Sequence, residues 1–204
     1  AKGKDSDPSP VQGVVSALEF SAGRGQFTGK TQECWLSWAA KLIATENGHL
    51  LHLGRRVLEV AAAHHEKLSI EAKYLMNVAS IALAEFYWKQ GKGSAILMRP
   101  LGWICKTIGS NKAASIAALR RGFDPKEMSR IGYQGGDSIG FNVEYVWNEA
   151  PELVVEMFKT IFAHSEMDDS QGEAMGGQIL SITSNKRQDF AGIGHALAEK
   201  FPQF

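Results

Sequence analysis

The stretch Ser69-Ile-Glu-Ala-Lys-Tyr-Leu-Met-Asn-Val-Ala-Ser-Ile-Ala-Leu-Ala-Glu-Phe-Tyr-Trp-Lys-Gln-Gly91 decides the fold class. It holds no proline and no internal glycine, and its apolar residues recur three and four apart, the period of a helix rather than a strand. Ser69 can accept from the backbone N–H groups of the first turn, and Gly91 suits the left-handed position that ends a helix. Ile70, Tyr74, Leu75, Val78, Ile81, Ala82 and Phe86 mark the expected inner face, with Tyr87 at its margin.

The same period continues upstream. Leu50 to Glu66 reads as a helix buried through Leu50, Leu53, Val57, Leu58 and Ala61. Thr31 to Asn47 reads as another, with Trp35, Trp38, Ala39, Leu42 and Ile43 on one face, and Asn47-Gly48 is expected to end it. Gly23 to Lys30 is a glycine-bearing loop, and Val14 to Phe20 is an apolar element whose type the pattern does not decide.

Downstream the signals weaken. Pro100 and Gly102 interrupt Ala95 to Ile108. Ser110 is expected to open a short helix ending at Gly122, and Asp124-Pro125-Lys126-Glu127 has the form of a capped helix start. Gly135 to Val146 suggests a turn and a short extended piece, with a helix from Ser138 as the alternative. Further helices are expected from Pro151, over 170–183 and over 186–201. The expectation is an all-α chain: a flexible polar arm over 1–13, one multi-helix domain over 14–200 and an apolar tail over 201–204.

The composition fits that picture. Apolar residues are 44% and charged residues 22% of 204, enough for one ordinary core. Cys34 and Cys105 are too few for a disulfide framework and read as reduced core thiols. The sequence shows no signal peptide and no apolar run long enough to span a bilayer, so the expected location is the cytoplasm, or a virion if the source is viral.

Net charge is zero, with 22 bases against 22 acids, but the charges are segregated. Lys89, Lys92, Arg99, Lys106, Lys112, Arg120, Arg121, Lys126 and Arg130 face only Asp124 and Glu127, a local excess of +7. From Ile131 to Thr183, Lys159 stands among nine acids, a local excess of −8. Phe86, Tyr87, Trp88 and Trp103 interleave with the basic run. Cations that neutralise phosphates together with rings that stack on bases are what single-stranded nucleic acid requires.

Other chemistry is weakly marked. Gly25-Gln-Phe-Thr-Gly29-Lys30-Thr31 ends like a phosphate-binding loop, yet the first glycine of that spacing falls on Arg24. His49/His52 and His64/His65 have no cysteine at zinc-site spacing. No nucleophile elbow or catalytic residue is marked, and no cofactor or metal is expected. A helix-turn-helix reading of Ser110 to Arg130 rests only on two short helices and a glycine.

The functional expectation is therefore a helical protein that binds single-stranded RNA and assembles head to tail, in the manner of a nucleocapsid or coat protein. Lys89, Lys92, Arg99, Lys106, Lys112, Arg120, Arg121, Lys126 and Arg130 would hold phosphates, and Trp88 and Trp103 would stack on bases. The alternative is a helical adaptor that binds other proteins. The third reading is a divergent nucleotide hydrolase using Lys30 and Thr31.

Overall fold

The computed structural model describes residues 10–91, 94–122, 124, 143–154 and 156. Of these, 86% are helical and none lies in a strand, so the all-α expectation holds. The helices are α1 (Pro10–Gly23), α2 (Gly29–Ala44), α3 (Gly48–Ala63), α4 (Ile70–Lys89), α5 (Ser94–Lys106), α6 (Lys112–Gly122) and α7 (Val143–Glu149), and residues 151–154 and 156, where a helix from Pro151 is expected, are helical too. Short 3-10 turns cover His65–Lys67 and Ile108–Ser110.

The undecided apolar element is the interior of α1. That helix starts at Pro10, inside the stretch read as an arm, and buries Val15, Leu18 and Ala22 against α3. Residues 1–9 lie outside the described part, as do 170–183, 186–201 and the 201–204 tail. Within Gly135 to Val146, the described residues from Val143 onward are helical, not extended.

Helix ends follow local chemistry, with one correction. Ser69 Oγ accepts from the Ala72 backbone N–H at 3.1 Å, and Gly91 takes φ +61° after α4. Asn47 does not end α2 but begins α3, its side-chain oxygen accepting from the His49 and Leu50 N–H groups. The left-handed residue between these helices is Glu46, at φ +53°. Glu46 adopts that conformation while Asn47, the better left-handed residue, serves as the cap.

Helix α4 is the hub, packed by α2, α3, α5 and α6. Its buried residues are Ala72, Met76, Asn77, Ala79, Ser80, Leu83, Ala84, Tyr87 and Trp88. The inner face read from periodicity is displaced: Ile70 is 78% exposed, Tyr74 49% and Val78 36%. A helix that is apolar nearly all round leaves its buried side open in the sequence. Here the alanines face inward, where their small side chains let neighbouring helices approach.

Helix α5 runs through Pro100 without ending. Leu97, Leu101, Ile104 and Cys105 along it are buried, so packing outweighs the lost backbone donor. Of the two thiols expected in the core, only Cys105 lies there, and burial pushes it up to about 12; Cys34 is exposed.

Candidate nucleic-acid interface

Trp88 and Trp103 cannot stack on bases as expected. Trp88 is 1% exposed and Trp103 8%, and both belong to the main core. The aromatic spacing that suggested a stacking platform is the inner spacing of two packed helices.

Most described cations of the basic run carry a carboxylate partner. Lys89 meets Glu46 at 2.9 Å, Arg99 meets Glu59 at 2.6 Å and Arg121 meets Glu85 at 2.6 Å. Arg120 forms a forked pair with Glu156, with contacts of 2.9 and 3.1 Å. Hydrogen bonding and charge from Glu156 push the Arg120 guanidinium still further up. A basic-run residue thus pairs with an acidic-run residue inside one chain, the pairing that the head-to-tail reading reserved for a neighbour. Exposed pairs of this kind contribute little to stability and yield readily to a competing anion. Lys92, Lys126 and Arg130 lie outside the described residues.

Lys106 differs: among the described residues it has no carboxylate within ion-pair reach. It lines a cleft of about 420 Å³ together with Lys73, Ile70, Thr107, Ile108, Gly109, Ser110, Tyr145, Asn148 and Glu149. Lys73 likewise lacks such a partner among the described residues. Three pieces of chain build the cleft: the first turns of α4, the 3-10 turn after α5, and α7. Lys112, just beyond that turn, is exposed.

The floor of the cleft is held from beneath. Asn77 is fully buried and donates through Nδ2 to Thr107 Oγ1 at 3.1 Å and Ser115 Oγ at 2.8 Å. Thr107 Oγ1 in turn donates to the Trp103 carbonyl at 2.8 Å, and Ser110 Oγ donates to the Thr107 carbonyl at 2.6 Å. This network fixes α4 to the 108–110 turn, since buried polar groups that lose a partner are costly.

The cleft wall is pinned by His65. Its Nε2 lies 2.7 Å from the Tyr145 hydroxyl, and the two rings meet edge to face at 5.3 Å. A neutral ring can accept the Tyr145 O–H at Nε2, which a protonated ring cannot. Desolvation, followed by the charges of Lys106 and then Lys73, lowers the His65 pKa, outweighing the Ala62 backbone hydrogen bond and Glu66, which raise it. A group depressed in the folded state contributes stability above its unfolded pKa and loses it as pH falls through the folded value. Wild-type protein should therefore lose thermal stability below about pH 6.5 more steeply than His65→Gln, which keeps a polar side chain but does not titrate. Melting curves between neutral and mildly acid pH test this; parallel profiles would exclude His65 as the cause.

The glycine loop before α2 is not a phosphate cradle. Helix α1 precedes it instead of a strand, and three of its donors are already used: Gly25 N–H bonds the Ala22 carbonyl, Gln26 N–H that of Ser21 and Thr31 N–H that of Thr28. Buried Gln32 ties the loop down, donating to the Phe27 and Lys67 carbonyls and accepting from Ser69 N–H. A phosphate loop needs its N–H groups converging on the anion.

Among the described residues no cluster of His, Cys, Asp and Glu could hold a metal, and no helix is long and apolar enough to cross a membrane. Comparison with protein-family models, curated proteins and solved structures finds no match.

Sequence reading missed this cleft. Lys73, Tyr145, Asn148 and Glu149 come from segments that no local motif links to Lys106 and Ser110. The one signal in the sequence was that Lys106 belongs to the basic run.

Proposed function

We propose that this protein binds single-stranded RNA, seating a nucleotide in the cleft between α4, the 108–110 turn and α7. The observation that carries the reading is the cleft's pair of half-buried lysines, Lys73 and Lys106, set beside an aromatic side chain, Tyr145. Phosphates supply most of the affinity of RNA-binding proteins, and stacking on an aromatic ring supports an unpaired base. Lys112 extends the cationic track, while Arg120 and Arg121 would join it by exchanging Glu156 and Glu85 for phosphate. Coating of the RNA by successive copies, as in a nucleocapsid, is the mode of assembly we propose.

The test is fluorescence anisotropy with labelled single-stranded RNA across a salt series. Lys73→Ala with Lys106→Ala should weaken binding at least about tenfold and flatten the salt slope by about two. Unchanged affinity and slope in a folded double variant would sink the assignment. Light scattering on the same mixtures reads assembly.

The adaptor reading has its own observation: the exposed apolar stripe Ile70, Tyr74 and Val78 on α4. Exposed apolar patches are a feature of protein-binding surfaces. A salt-tolerant protein complex without RNA, lost when Tyr74 becomes Asp, would favour it.

A further inference from the structure

Resting on the RNA reading, we propose that the cleft selects guanine, and that Glu149 is the residue that reads the base. The cleft holds charges of both signs that do not neutralise one another. Lys73 and Lys106 line it together with Glu149, yet no lysine–carboxylate pair forms among these three. Elsewhere on this surface several cations meet carboxylates, as Lys89 does with Glu46 and Arg121 with Glu85. A cleft that keeps them apart matches a ligand with an anionic group at one end and hydrogen-bond donors at the other.

Gly109 helps place the carboxylate. A Cβ on Gly109 would lie 2.9 Å from Glu149 Oε1 and 3.1 Å from Cδ, so the bare glycine lets the carboxylate rest against the turn that floors the cleft. A carboxylate only accepts hydrogen bonds. Guanine presents two adjacent donors on its Watson–Crick edge, N1–H and the 2-amino group, and can bond both carboxylate oxygens. Adenine, cytosine and uracil each place an acceptor beside their donor, which a carboxylate repels. With the phosphate at Lys73 and Lys106 and the base against Tyr145, the guanine edge meets Glu149, and Asn148 stands beside it as a further polar contact.

Anisotropy with labelled uridine-uridine-guanosine repeats about 12 nucleotides long tests this, beside matched repeats carrying adenosine or inosine. Wild-type protein should prefer the guanosine RNA over the adenosine RNA by about tenfold, as a two-bond contact to a base edge discriminates. Inosine, which keeps N1–H but lacks the amino group, should fall between them. Glu149→Gln, at an exposed position, should retain binding to the adenosine RNA and lose the preference. Equal wild-type affinity for all three RNAs, or a preference that survives Glu149→Gln, overturns the guanine assignment and leaves RNA binding standing. Failure to bind any of them at low salt overturns both.

Discussion

Replacing Trp88 by alanine is expected to cost about 4 kcal/mol of folding stability, the range for emptying a fully buried aromatic site. Trp88 is 1% exposed near the end of α4, and its ring carries the Arg121 guanidinium 4.4 Å from its centre. Arg121, on α6, is held in turn by Glu85, one turn before Trp88 on α4, at 2.6 Å. Removing the indole takes away core volume, and with it the cation's seat on the ring, loosening the contact between α4 and α6. A loss of this size is a large part of what a domain of this kind possesses. Urea denaturation measures it. The contrasting result, near-native stability with much weaker RNA binding, would mean that Trp88 is a stacking residue after all.

Gly54→Val is expected to cost about 3 kcal/mol, the upper part of the usual range for forcing atoms into a packed site. Gly54 sits where α3 meets α2. A Cβ there would lie 2.9 Å from Ile43 Cγ1, 3.0 Å from the Ala39 carbonyl oxygen and 3.4 Å from Leu42 Cβ. The Ile43 side chain can turn, but the Ala39 oxygen is backbone inside α2 and cannot retreat without moving that helix. Valine's better helix propensity returns only a few tenths of a kcal/mol. Guanidinium denaturation would show a lower midpoint with an unchanged slope. A loss below about 0.5 kcal/mol, the scale of neutral surface changes, would mean that the two helices are free to separate.

Under the RNA-binding proposal, these two sites and the cleft lysines should separate. Both lie outside the cleft, so folded remnants of either variant should bind RNA with the wild-type salt slope. The Lys73 and Lys106 substitutions should do the opposite, leaving the fold intact and weakening binding. That separation distinguishes a damaged scaffold from a damaged interface.

Sequence alone determined the helical class, the start of α4 at Ser69 and its stop at Gly91, and the segregation of charge, because each depends on residues within a few positions of one another. Helical period, capping oxygens and left-handed glycines act locally, and local physics is legible in order along the chain. Tertiary structure decided which side of α4 is buried, because a helix ringed by neighbours is apolar on most of its circumference and only its partners choose the face. It also decided that Trp88 and Trp103 belong to the core, and that Arg120 and Arg121 meet Glu156 and Glu85 rather than standing open. The cleft is the plainest case. Lys73, Lys106, Tyr145 and Glu149 come from three pieces of chain, and two lysines and a carboxylate become a site only when packing holds them on common walls without letting them pair.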